Sequence, residues 1–194
     1  MKLIKDKFLV KLEKLVEDTV KVNGVEMYLD SSYEPMRFAR QYGEVVIAPE
    51  RLSSKYMDVK VGDRVYFHHF VADKKNQMVE DEDGSYILQV DAGQIYCAVR
   101  DDKIIMQNFW CFVEQKTESE DNYKTKSGIF LKSTMETEDL RGYLRHANQE
   151  ILDYGAKIDD EVIFSENSEY SMNIEGEELL RMRNIDILAK VANA

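Results

Sequence analysis

Three histidines, two cysteines and the lack of any long apolar run deprive several protein classes of their raw material. A membrane-spanning helix needs about 20 predominantly apolar residues in a row, and no stretch comes close. His68 and His69 are adjacent, and neighbours on a strand point to opposite faces, so the pair is not expected to share one metal. His146 is distant in the chain, and no His-x-x-x-His or Cys-x-x-Cys spacing occurs. Gly-x-Ser-x-Gly, the turn that lifts a nucleophilic serine, is missing, as is a glycine-rich loop ending in Lys-Ser or Lys-Thr that would cradle phosphates. The expectation is a protein that is not an enzyme, has no cofactor and has no metal site.

Cys97 and Cys111 both fall inside apolar strand patterns, the setting of buried thiols rather than of a redox pair. So few cysteines fit a reducing compartment. The opening segment Met1–Asp6 has no apolar core of the kind a signal peptide carries, and the chain is expected in the cytoplasm.

Positive charge is also scarce. Thirty-seven aspartates and glutamates outnumber 26 lysines and arginines, for a formal charge of −11. Neutralising phosphate is the main source of nucleic-acid affinity, so nucleic acid is an unsuitable partner, and an anionic membrane surface is equally disfavoured. The same balance argues against an oligonucleotide-binding barrel stacking bases on Tyr96, Phe109 and Trp110. The acidic runs Glu80–Asp83 and Glu118–Asp121 read as solvated faces, because their spacing misses that of a calcium loop.

What the chain does contain is alternation, and it contains it twice. Val59-Lys60-Val61-Gly62-Asp63-Arg64-Val65-Tyr66-Phe67 returns 97 positions later as Ala156-Lys157-Ile158-Asp159-Asp160-Glu161-Val162-Ile163-Phe164. Lys, Asp, Val and Phe coincide at four positions. Upstream, Gly43 and Gly142 precede apolar residues in each half, and each half opens on an apolar strand, Lys7–Glu13 and Phe109–Glu114. Each half closes similarly, with Val99–Met106 set against Met182–Ala189. The blocks keep their order while the offset falls from 102 through 99 and 97 to 83, so the two halves differ in loop length. With 44% hydrophobic residues there is enough material for packed cores. Short alternating strands separated by turn residues indicate an all-β chain of two tandem barrels, residues 1–106 and 107–194. Gly62 gives way to Asp159 in the second copy, so that turn is expected to change shape. Glu136–Arg145 offers a turn or two of helix.

Two long segments interrupt the strands, about Val16 to Gln41 and about Gln115 to Arg141, and connections of this length are commonly functional. Each contains a glycine followed by apolar residues: Gly24-Val25-Glu26-Met27-Tyr28-Leu29 in the first, Gly128-Ile129-Phe130-Leu131 in the second. Such a cluster in a polar loop is either a short strand packing back on its own barrel or a peptide that orders on docking to a partner.

In its order of blocks the chain resembles the GroES-type co-chaperonin family, once per half. Asp58–Phe67 is similar to the family's strand turn, Gly128–Leu131 to its glycine and apolar tripeptide in a mobile loop, and Asp186-Ile187-Leu188 to its closing strand, with Lys103-Ile104-Ile105 as the diverged first copy. Gly24 with Met27–Leu29 is a looser match, because Val25 and Glu26 intervene. The tandem form resembles the plastid double co-chaperonin. The resemblance implies two barrels, each with a mobile loop and a β-hairpin roof segment, the first enlarged over 68–93. It implies docking to a GroEL-type chaperonin through Gly128, Ile129, Phe130, Leu131, Gly24, Val25, Met27, Tyr28 and Leu29. Self-association into a ring, enclosure of unfolded clients and the absence of any nucleotide of its own follow from it as well. The rival expectation is a tandem β-barrel that binds some other protein.

Overall fold

The computed structural model describes residues 3–17, 19–22, 25–28, 38–80, 84–116, 140–168 and 170–191. The chain divides into two units, Met1–Trp110 and Cys111–Ala194, a few residues beyond the division read from sequence.

The first unit carries β1 (Leu3–Lys5), β2 (Lys7–Leu12), β3 (Thr19–Val22), β4 (Val25–Tyr28), β5 (Tyr42–Ile47), β6 (Pro49–Arg51), β7 (Arg64–Phe67), β8 (Gln77–Glu80), β9 (Tyr86–Asp91), β10 (Ile95–Arg100) and β11 (Lys103–Met106). Seven of these form one sheet in the order β8-β9-β2-β5-β7-β10-β11, while β1 pairs with β6 and β3 with β4 in separate two-stranded ladders. Alternate apolar residues turn to one side, as the period of two requires. Phe8, Val10, Leu12, Val45, Val65, Phe67, Leu88 and Val90 meet there in a buried core.

The second unit's sheet is built from β12 (Trp110–Gln115), β13 (Arg141–His146), β14 (Glu161–Phe164), β15 (Tyr170–Ile174), β16 (Glu177–Arg183) and β17 (Ile187–Lys190). A short helix, α1 (Gln149–Asp153), is capped by the Asn148 side chain accepting from the Ile151 N–H. Arg141–Arg145, part of the segment expected to be helical, is strand instead, because Gly142 lies against the neighbouring strand at β12. The strand order is β15-β16-β12-β13-β14-β17. Position for position it repeats β8-β9-β2-β5-β7-β10, with β11 as the additional strand of the first unit. Cys111, Val113, Leu144, Val162, Phe164, Leu180 and Met182 form its core.

The ladders repeat in their irregularities too. β2 meets β5 with a register shift between Leu9 and Val10, and β12 meets β13 with the same shift between Phe112 and Val113. Val10 opposite Val45 thus corresponds to Val113 opposite Leu144. Gly43 and Gly142 follow as the close-packed positions of β5 and β13. Phe67 pairs with Ile95 as Phe164 pairs with Ile187, each beside a register shift.

Two expectations are corrected. β17 corresponds to β10, not to β11: each follows a 3-10 turn, Ala92–Gln94 or Asn184–Asp186, and each pairs with the strand carrying the repeated Val-x-Phe. Gln94-Ile95-Tyr96, rather than Lys103-Ile104-Ile105, is therefore the counterpart of Asp186-Ile187-Leu188. Nor does the turn change shape where Asp159 replaces Gly62. Lys60 N donates to Asp63 Oδ2 at 2.7 Å and Lys157 N to Asp160 Oδ2 at 2.8 Å, while Asp63 N and Asp160 N donate back to the lysine carbonyls at 3.2 and 3.1 Å. Gly62 has φ of +90° and Asp159 of +69°. Aspartate is one of the few residues with a side chain that enter this left-handed region at small cost, so the turn survives the exchange.

Candidate partner-docking segments

Both long excursions leave the sheets through closed bases. At the first, Glu17 N donates to Phe38 O at 2.7 Å and Arg40 N to Leu15 O at 2.9 Å, and Val16 bridges Ala39. Leu15 and Ala39 are buried beneath this ladder. Arg40 secures it from the side. Its guanidinium reaches Glu13 Oε2 at 3.3 Å and Glu17 Oε1 at 3.2 Å, donates to the Tyr42 hydroxyl at 2.8 Å, and lies 4.4 Å from the centre of the Tyr42 ring. At the second base Lys116 N donates to Arg141 O at 3.1 Å, and Lys116 Nζ meets Glu161 Oε1 at 2.9 Å with Arg141 at 3.7 Å. The Lys116 ammonium holds the Glu161 carboxyl below the usual carboxylate range, Arg141 adding to the effect, and Glu161 in turn raises Lys116.

Within the first excursion, β3 and β4 form an antiparallel hairpin in which Val22 pairs with Val25, Lys21 with Glu26, Val20 with Met27 and Thr19 with Tyr28. Over these residues the mobile loop implied by the resemblance is a paired hairpin. Four of its eight paired residues are β-branched, and Asn23-Gly24, the dipeptide most favoured in two-residue hairpin loops, stands between the strands. That dipeptide is a local hairpin signal in the sequence. Val25, Met27 and Tyr28 are 64%, 52% and 88% exposed, so these three do not pack back on the barrel. Gly24 and Leu29 lie outside the described residues, as do Gly128, Ile129, Phe130 and Leu131.

The remaining candidates resolve into structure. His68 and His69 are not on a strand: β7 ends at Phe67, His68 caps a 3-10 turn, and the two rings stack at 4.3 Å. The opposite-faces argument therefore fails for them. Among the described residues no group of three or more histidines, cysteines, aspartates or glutamates is placed to hold a metal. Tyr96 and Trp110 are buried edge to face at 4.8 Å, which removes them as stacking platforms for bases. Cys97 and Cys111 are both buried and in no disulfide, and burial pushes the Cys111 thiol up to about 12, with Asp186 adding to it. The second unit has a polar cleft of about 540 Å³ lined by Glu114, Arg145, His146, Glu177, Glu178 and Leu179. Arg145 is held there by Glu114 and Asp159, and burial lowers the His146 pKa against the opposing charge of Glu177. Among the described residues no helix is long and apolar enough to cross a membrane.

Fold and loops together define a mostly β protein in which each unit extends one long excursion from a closed base. Residues 101–191, just under half the chain, match the family model of the Chaperonin 10 Kd subunit. At family level this supports a GroES-type co-chaperonin, a family that is not enzymatic. No curated protein matches the chain.

Proposed function

We propose that the chain is a co-chaperonin that caps an ATP-driven, GroEL-type chaperonin ring and encloses unfolded clients. It would dock through Gly128–Leu131 in the second unit and through Val25, Met27, Tyr28 and their neighbours Gly24 and Leu29 in the first. The family match carries this reading, because its span includes Gly128–Leu131 and both strands that bracket them. The energetics favour many weak contacts. Burying three apolar side chains contributes roughly 1.5–3 kcal/mol each, whereas ordering a dozen loop residues costs about 1–2 kcal/mol each. One loop alone binds poorly; several presented together raise one another's effective concentration and still release readily. Self-association supplies that multiplicity, and the outer edge of β17, which no other described strand covers, supports it.

The test is Ile129→Asp and Leu131→Asp in the full chain. Both are expected to abolish capture by a purified GroEL-type ring in the presence of ATP while the circular dichroism and thermal midpoint stay unchanged. Undiminished affinity in the two variants would remove the loop assignment. A second reading, a tandem β protein that docks to something other than a chaperonin, is favoured by two observations: the family match begins only at residue 101, and the first unit's candidate docking segment is a hairpin. A chain that stays a monomer and ignores the ring with ATP present would favour it.

A further inference from the structure

The β3–β4 hairpin poses a physical question. Its strands are four residues each, and among the described residues neither joins another strand. Two-stranded hairpins of that size are marginal in water, and Val25, Met27 and Tyr28 give little burial to hold this one. At the base of the excursion, incoming and outgoing chain are tied by the Val16–Ala39 bridge, two backbone hydrogen bonds and Arg40. Arg40 touches both sides: Glu13 and Glu17 before the excursion, Tyr42 after it. Its side chain is only 11% exposed, while the carboxylates it reaches are 82% exposed at Glu13 and 32% at Glu17; at the second base the cations themselves are more open, Lys116 and Arg141 being 37% and 47% exposed. A planar guanidinium can serve two carboxylates, a hydroxyl and a ring face together, which a lysine ammonium cannot.

We infer that Arg40 is a positioning residue that holds the first docking segment as a ready-made hairpin, presenting Val25 and Met27 to an apolar groove of the chaperonin. The register supports that choice of residues. Val20–Met27 and Val22–Val25 alternate with Thr19–Tyr28 and Lys21–Glu26, so every second cross-strand pair is wholly apolar, and Val25 and Met27 share a face that Tyr28 does not. A segment folded beforehand avoids part of the ordering cost of docking, and the hairpin keeps it if its base stays shut. The identity of the groove's owner rests on the function proposed above; the clamp does not.

Hydrogen exchange on the full chain tests the clamp, with Arg40→Gln as the break and Arg40→Lys as the conservative variant. Amides of Thr19–Val22 and Val25–Tyr28 are expected to exchange about tenfold faster in Arg40→Gln than in the wild type, with Arg40→Lys between them. Those of β7 and β10 should not change. Equal exchange in all three proteins overturns the clamp, and so does a loss of protection that spreads to β7 and β10, since Arg40 would then support the whole unit. Docking is read with a purified GroEL-type ring and ATP in the otherwise wild-type chain, because Ile129→Asp is itself expected to abolish capture. Arg40→Gln is expected to weaken capture about tenfold, and a loosened hairpin with unchanged affinity overturns the docking role. If the wild-type chain itself ignores the ring, the chaperonin reading falls, while the exchange result still decides the clamp.

Discussion

Gly142 is where the second unit's sheet tolerates least. A Cβ at that position would collide with Val113 Cγ1 and lie 2.5 Å from the Glu114 carbonyl oxygen. Backbone cannot retreat as a flexible side chain can, so the strand pair β12–β13 would have to part. Gly43 repeats the constraint in the first unit, 2.7 Å from the Lys11 carbonyl oxygen, whereas Gly93 has nothing within 4 Å and no positive φ. Gly142→Ala and Gly43→Ala are therefore expected to lower unfolding free energy by about 1–3 kcal/mol, as overpacking generally does. Gly93→Ala should leave it within about 0.5 kcal/mol, the usual range for surface changes. Urea titration of the three variants reads this directly; equal midpoints would mean that β5 and β13 yield more easily than their packing implies. The residue that recurs as glycine in both halves is thus the one with no space, while Gly62, which has space, is free to become Asp159.

At the scale of elements, strands and turns were legible because their causes are local. The Lys-x-x-Asp turn and the Val-x-Phe that follows it recur in both halves, and they occupy the same place in both sheets. The closing strands were misaligned for a reason that composition does not contain. Lys103-Ile104-Ile105 resembles Asp186-Ile187-Leu188, yet strand identity is decided by partner, and β10 rather than β11 pairs with β7. Asp101 and Asp102, at φ of +50° and +58°, fold β10 and β11 into a hairpin whose two arms look alike in sequence. Arg40 was invisible for a related reason, since its partners Glu13 and Glu17 belong to another segment. The second loop base also carries a pH dependence. Glu161 has a depressed folded-state pKa, so its pairing with Lys116 and Arg141 contributes fully above the unfolded value near 4.5 and is lost as pH falls through the folded value. The protection factor of the Lys116 amide is expected to hold from about pH 7 to 5 and to drop roughly tenfold on acidification below about 4. In Glu161→Gln it should be low and flat throughout, and a flat wild-type profile would sever the ion pair from the loop base.

For the molecule as a whole, the informative difference between the units is at the end of each sheet. In the first, β11 covers the outer edge of β10 from Cys97–Met106 to Arg100–Lys103, and Tyr96 is 1% exposed. In the second, β17 occupies the place of β10 and ends the described sheet. Leu188, the counterpart of Tyr96, is 63% exposed, and Ile185 beside it is more so. An open edge with apolar residues is a template for another strand, and a second copy of the chain is the occupant that the proposed ring calls for. Assembly must overcome the repulsion of chains carrying −11 each, so it should strengthen as salt shortens the range of that repulsion. Native mass spectrometry and light scattering are expected to show an oligomer of the wild type that grows in population between low and moderate ionic strength. Leu188→Lys, which places a charge on the edge as natural sheets do to stay apart, should leave single chains with an unchanged thermal midpoint. A wild type that is monomeric at every salt concentration, or a Leu188→Lys oligomer as stable as the wild type's, would show that β17 is not the joint, and a lid made of this chain would then have to close through some other surface.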